Sequence, residues 1–362
     1  MGFVSFYLLP LSLAVVCQGY NVNFRLTAKF QDNTDIDRSL ILDLTSSEIF
    51  VLRSTEFQDK YGRDNVFKPS ASDTFENISQ PFQVNYTGEY NGKDSTVLGF
   101  LGKDNVTIIL HNEVARFGVA QKITAEEIVF GTDGYPNAGR IGFSRNIANG
   151  SLAENQFPRA RKLSLEVGVS PNSSAVRTSI GLGDFNYDPK RLRTKVRSLP
   201  HPNGLWGLSV ARITIGNVVN IRNYKAVITT TLDGITLPFA VFQQAIRTLG
   251  AKYSRENRHY TVDCNRNIPI ILEINGVKIT IRFDAIIAQL DKVCVLKLRS
   301  VASADKVVLG LPFFINNGIG LDYESGEIHL YDSTYDEDSV AINGVVQTAN
   351  GARQFITTEF FE

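Results

Sequence analysis

The stretch Ser39–Leu52, SLILDLTSSEIFVL, decides the fold. It reads as an apolar strand that ends on one carboxylate, Asp43, turns through Leu44, Thr45, Ser46 and Ser47, and re-enters an apolar strand. Tight turns usually take glycine, yet Leu44 and Thr45 stand in those places. A later stretch, Lys225–Pro238 (KAVITTTLDGITLP), has the same shape: an apolar strand entering a threonine turn. It carries Thr229 where the first has its acid. Each stretch is followed, about 80–100 residues on, by an apolar-glycine segment, AGRIGFS at Ala138–Ser144 and VVLGLPFF at Val307–Phe314. Two similar β lobes facing each other across a cleft account for this weak internal repeat.

Outside these stretches helical periodicity is scarce. Short apolar and β-branched runs dominate, among them NVNFRLTAKF, PFQVNYTGEY, NVTIILHNEV, KLSLEVGVS and GEIHLYD, broken by Gly, Asn and Asp turns. Asn275-Gly276 lies between alternating apolar positions and predicts a hairpin. LPFAVFQQAIRTLGA is the clear helix candidate, with Pro238 near its start and Gly250 as its stop. The fold class is therefore mainly β.

The chain has 362 residues, enough for one or two domains, and 37 basic residues balance 37 acidic ones. No global field argues for nucleic acid or an anionic membrane as a partner. The densest basic run, KRLRTKVR at Lys190–Arg197, alternates with Leu192, Thr194 and Val196, as a solvated strand face does. Residues 1–19, MGFVSFYLLPLSLAVVCQG, fit a cleaved secretory signal better than a membrane span, although the positive amino-terminal side chain is missing. No later segment is apolar and long enough to span, and TTEFFE at the end offers no lipid-anchor signal. Cys17 lies in the expected signal, which leaves Cys264 and Cys294 either bridged or as two buried thiols. Five sequons, at Asn77, Asn85, Asn105, Asn149 and Asn172, suit the same export route. The expected location is extracellular, or the lumen of the secretory-lysosomal pathway. His111, His201, His259 and His329 are scattered without metal-ligand spacing, so neither a metal nor a cofactor is expected. Ser46-Ser47 lacks the surroundings of a nucleophile elbow, and the Gly pair of GLGDF is a weak phosphate signal.

The order and spacing of these segments resemble the pepsin-like aspartic proteases over nearly the whole chain after the signal. LILDLTSSEIFVL resembles the family's Asp-Thr-Gly-Ser-Ser stretch. FKPSASDTFENISQPFQVNYTGEYNG resembles the segment leading into the flap, with Tyr86 at the flap tyrosine. TVDCNRNIPIILEINGVKITI, with the later Cys294, resembles the second-lobe disulfide loop, and VVLGLPFFINNGIGLDYESGEIHLYD the closing segment. The resemblance implies a bilobal fold, with lobes over residues 20–178 and 179–332 and a carboxy-terminal extension over 333–362. It also implies two carboxylates, one per lobe, that share a proton and activate a water between them.

Here the pattern fails. Asp43 holds the first catalytic position, but Thr229 holds the second, and a hydroxyl cannot share that proton. Thr230 keeps the family's threonine, Thr231 replaces its turn glycine, and Asp233, at the serine position, would need a register shift to substitute. In the first loop Leu44 cannot make the threonine side chain's cross-lobe bond, and Thr45 adds a branched side chain where glycine lets the backbone approach. NVNFRLTAKF begins almost at the expected cleavage site, leaving no room for a basic pro-segment.

The expected protein is a non-catalytic, glycosylated monomer whose cleft takes an extended peptide or a protein segment. Asp43, Thr45, Tyr86, Thr229, Thr230 and Thr231 are expected to line that cleft, with Asp43 a vestige. A glycan on Asn85 would then point away from a cleft-facing Tyr86. Two rivals stand beside this reading: an atypical acid endopeptidase using Asp43 with another acid, and a glycoprotein that meets its partner by its outer surface. The tail from Ser333 is read as a surface strand or a flexible end.

Overall fold

The computed structural model describes residues 20–34, 36–108, 111–145, 161–170, 176–183, 185, 187–255, 258–290, 293–333 and 354–359. The expected signal, Cys17, Asn149 and Asn172 lie outside the described residues.

The first lobe is a seven-stranded sheet: β1 (Arg25–Phe30), β2 (Asp37–Asp43), β3 (Ile49–Leu52), β4 (Glu76–Tyr86), β5 (Ser95–Ile108), β6 (His111–Ile123) and β7 (Gly139–Gly142). Its order is β1-β2-β7-β3-β6-β5-β4, and β1 also pairs with β5, which curls the sheet towards closure. The alternating pattern of β1 and β5 buries one face, and Phe24, Phe30, Phe67 and Phe117 fill it with edge-on and tilted ring contacts.

β7 is the element that positions the site. It runs parallel to β2, with Asp43 opposite Gly142, and antiparallel to β3, with Phe50 opposite Arg140. It therefore lies between the two strands that SLILDLTSSEIFVL joins, directly beneath their turn. A Cβ on Gly142 would sit 2.4 Å from the Ser46 carbonyl oxygen, so no side chain fits there.

The second lobe repeats this arrangement. Lys306–Leu309 runs parallel to the end of Val218–Ile228 and antiparallel to Ile235–Pro238, within a seven-stranded sheet. A Cβ on Gly310 would meet the Leu232 carbonyl oxygen at 2.1 Å. The weak internal repeat is thus a repeated loop-over-strand motif, in which Gly310 matches Gly142 and Val308 matches Arg140.

A six-stranded sheet runs Leu192–Arg197, Glu327–Asp332, Asn317–Asp322, Lys162–Val169, Val176–Leu182 and Gln354–Glu359. The basic run is one of its strands, with Thr194 buried and Lys195 and Arg197 exposed. Part of the tail, Gln354–Glu359, is also a strand of this sheet, antiparallel to residues 177–182. The predicted helix, α3 (Phe239–Leu249), buries Val241, Phe242, Ala245, Ile246 and Leu249 and stops at a left-handed Gly250. It follows two shorter helices, α1 (Ser54–Tyr61) and α2 (Gly88–Asn91). The hairpin Ile270–Ile274 and Val277–Ile281 turns on Asn275 and Gly276, both at positive φ. Cys264 and Cys294 are disulfide-bonded, with Cα atoms 5.3 Å apart, and no helix among the described residues is long and apolar enough to cross a membrane.

Candidate functional site

The turns after β2 and after Val218–Ile228 meet at the interface of the lobes. Asp43 is fully buried there, and each of its oxygens is engaged. Oδ1 accepts from the Thr45 backbone N–H at 2.7 Å and from the Thr45 hydroxyl at 2.6 Å. Oδ2 accepts from Arg140 Nη1 at 2.9 Å. Arg140 is 2% exposed, projects from the strand beneath the loop, and donates its Nε–H to the Ile128 carbonyl. Its guanidinium carbon lies 4.9 Å from the centre of the buried Tyr86 ring, so the charge has a carboxylate on one side and an aromatic face on the other. Burial drives the Tyr86 phenol well above its ordinary range, and the Asp43 charge adds to this. Tyr86 therefore stays neutral at any ordinary pH.

The second loop carries three hydroxyls. Thr230 Oγ1 donates to the Leu42 carbonyl at 2.5 Å and accepts from the Leu44 N–H at 3.3 Å, so one side chain links the lobes through two backbone groups. The Leu44 side chain takes no part in this link, and its backbone supplies what the side chain cannot. Thr229 donates to the Tyr90 carbonyl at 3.1 Å, and the Thr231 hydroxyl, 2.9 Å from that of Thr229 and 3.1 Å from the same carbonyl, gives its one proton to the nearer Asn91 Oδ1. Asp233 is held by Lys297 at 3.0 Å, the two being 36% and 8% exposed in their side chains. Its carboxylate is thereby committed to a cation of its own lobe.

Tyr90 belongs to the segment between β4 and β5, the flap hairpin. Its tip is not Tyr86, which closes β4 and packs against Phe50 and Arg140, but the helical turn α2 beyond it. That turn reaches the opposite lobe. Tyr90 is buried with Leu205, Val227, Leu232 and Val308, and the Lys306 ammonium stands 4.7 Å from its ring centre. Glu89 pairs with Lys306, and the Gly92 carbonyl accepts from Arg299 Nη1 at 3.3 Å. Burial disfavours the Lys306 ammonium, but its bonds to Glu89 and Tyr90 outweigh this and leave its pKa raised. Asn91 Oδ1 accepts from Arg140 Nη1 and from the Thr231 hydroxyl, each at 2.5 Å, while its Nδ2 donates to Thr45 Oγ1 at 3.2 Å. One carboxamide from the flap thus joins both loops and the Arg140–Asp43 pair.

The structure therefore brings Asp43, Thr45, Tyr86, Thr229, Thr230 and Thr231 together, but beneath the flap tip. Asp43 and Thr229 have no exposed surface, and Tyr86 has 4%. Asn85 is exposed while Tyr86 points inward, and of the other described sequon residues Asn77 is exposed and Asn105 half-buried.

Sequence reasoning missed Arg140, Tyr90, Asn91 and Lys306. Arg140 carried a readable signal: a lone charge inside the fully buried strand GRIG, aligned on an apolar residue in the repeat. A buried guanidinium needs an anion, and the only acid at the end of the parallel neighbour is Asp43. Asn91 and Tyr90 gave none, because nothing in a hairpin sequence states how far its tip bends towards the other lobe.

A family model described as "Eukaryotic aspartyl protease" matches residues 34–331. The chain is also similar to rhizopuspepsin of Rhizopus chinensis, 21% identical over 311 residues, which cover 81% of this chain and 74% of that protein.

Proposed function

We propose, from the premise that this chain belongs to the eukaryotic aspartyl protease family, that it binds polypeptide in its cleft and does not cleave it. One observation carries the reading: the single acid in a catalytic position, Asp43, is ion-paired to the buried Arg140. General acid–base hydrolysis by this fold needs a carboxylate that can gain and lose a proton beside a second carboxylate. The Arg140 guanidinium at 2.9 Å occupies one Asp43 oxygen, Thr45 occupies the other, and Thr229 supplies no second carboxylate. The carboxamide of Asn91 stands between the two loops, bonded to Arg140 and Thr231.

The cleft nevertheless keeps the groups that hold a polypeptide. The Thr229 hydroxyl donates to a main-chain carbonyl, the Thr231 hydroxyl to a carboxamide, and an apolar pocket takes an aromatic side chain. The present occupant is polypeptide, the chain's own flap tip. The protein works outside the cytosol, in the secretory route or beyond the cell, where the Cys264–Cys294 bridge persists and Asn77, Asn85 and Asn105 meet the glycosylation machinery.

A diverse peptide mixture, incubated with the purified protein from about pH 3 to 7 and read by mass spectrometry, tests the reading. No new termini are expected at any pH. Cleavage that disappears in Asp43→Ala would overturn it, because a second acid would then be at work.

A further inference from the structure

The contacts of the flap tip have the composition of a ligand's contacts. Successive residues meet complementary groups: the Glu89 carboxylate meets Lys306, the Tyr90 ring enters an apolar pocket, and the Tyr90 carbonyl takes the Thr229 hydroxyl. The Asn91 carboxamide then takes Arg140, Thr231 and Thr45. On its own lobe the tip is held at its ends, by Gly88 N–H to Asp94 and by Lys93 to Glu127, a pair that is more than half exposed, and at Asn91 by Thr45 and Arg140. Exposed pairs of that kind hold little free energy. The Glu89 and Tyr90 side chains are thus placed by the opposite lobe, and Asn91 by Thr231 of that lobe together with Thr45 and Arg140 of its own.

We propose that Glu89-Tyr90-Asn91 is a tethered occupant of a recognition site at the lobe interface, and that the site's external ligand is a polypeptide segment with an acidic residue, an aromatic residue and a carboxamide in that order. This rests on the reading that the cleft binds polypeptide, and it names the class. Each requirement has a source. Lys306 selects the acid and favours an aromatic face beside it. Leu205, Val227, Leu232 and Val308 form a pocket that an aliphatic stub would leave part-filled. The carboxamide is selected because Asn91 both accepts, from Arg140 and Thr231, and donates, to Thr45. A carboxylate could not donate, and an apolar side chain would leave Arg140 short of a partner. A tethered segment competes at high effective concentration, so an external segment binds only as often as the tip is out.

The test is binding of acetyl-Gly-Glu-Tyr-Asn-Gly-amide, by titration calorimetry, to the full-length protein and to its Tyr90→Ala/Asn91→Gly variant. The emptied variant is expected to bind at least about tenfold more tightly than the parent. Peptides with Tyr replaced by Ala, or with Glu and Asn exchanged, are expected to lose that gain, as is the variant with Lys306→Ala added. Tyr90→Ser alone serves if the double variant does not fold. Equal binding to parent and emptied variant, or to the exchanged peptide, overturns the proposal. A parallel arm separates the two claims. If the emptied variant retains other peptides from a diverse mixture but not this one, the ligand class is wrong and the binding function stands. If it retains none, both fail.

Discussion

The two loops that meet at the lobe interface are built on one backbone plan and filled in opposite ways. In the first lobe a strand ends on Asp43 and the strand beneath it supplies Arg140; in the second the matching positions are Thr229 and Val308. One loop holds a buried charge and its counter-charge, the other holds neither. The family's chemistry needs an unpaired carboxylate in each. Set against that pattern, one lobe has a threonine at the acid's position, and the other has the acid ion-paired to an arginine. An aspartate paired to a buried arginine cannot be removed without leaving the arginine stranded.

Breaking the first lobe's pair should give the largest effect. Arg140→Leu strips the buried Asp43 of its partner and is expected to lower unfolding free energy by about 3–5 kcal/mol in urea denaturation. The corresponding change in the second lobe, Val308→Ala, removes apolar contact with Tyr90 and should cost roughly 1–3 kcal/mol. A cost at Val308 equal to that at Arg140 would erase the asymmetry. The link between the loops is tested by Thr230→Val, which keeps the volume but strands the Leu42 carbonyl and the Leu44 N–H. About 1–3 kcal/mol is expected, read in the same denaturation series.

The flap's hold on the second lobe should weaken in acid. His201, whose ring stands 6.4 Å from that of Tyr90, has its pKa lowered by burial and then by Lys306, against a smaller opposing pull from Glu89. The unfolded chain therefore binds a proton at higher pH than the folded one. This contribution to stability is complete above pH about 6.5 and falls as the pH drops below it towards the depressed folded value. His201→Gln should flatten the slope of stability against pH in that window by a few tenths of a kcal/mol, the smallest effect in the series. His329, lowered mainly by burial, adds a slope of the same sign and remains in the variant as an internal reference.

The β class, the repeat, α3, the Asn275-Gly276 hairpin and the two loops were all legible because each rests on local pattern: apolar alternation, a proline start, a glycine stop. Gly142 and Gly310 showed themselves as repeated glycines after apolar residues, although only the structure gives the reason, a loop carbonyl within 2.4 Å of any Cβ. The lost acid at Thr229 was legible through the repeat. The neutralised acid at Asp43 was harder, since its partner lies in a segment read as apolar and glycine-rich, and pairing across strands is a tertiary fact. Hardest was the flap. The resemblance puts Tyr86 at the flap tyrosine but does not show that the chain runs on through α2 and sets Tyr90 and Asn91 against the other lobe. Such docking depends on contacts between residues more than a hundred positions apart, which no window of sequence contains.

The most direct test of the central claim, that Asp43 serves as the partner of Arg140, is a double-mutant cycle on unfolding free energy with Asp43→Leu, Arg140→Leu and the double variant. The pairing predicts that each single change is strongly destabilising and that the double is less so than their sum by about 2–3 kcal/mol, because each removes the other's stranded charge. Additive costs, with the double variant as damaged as the sum of the singles, would contradict the account and leave Asp43 as an acid still in need of an explanation.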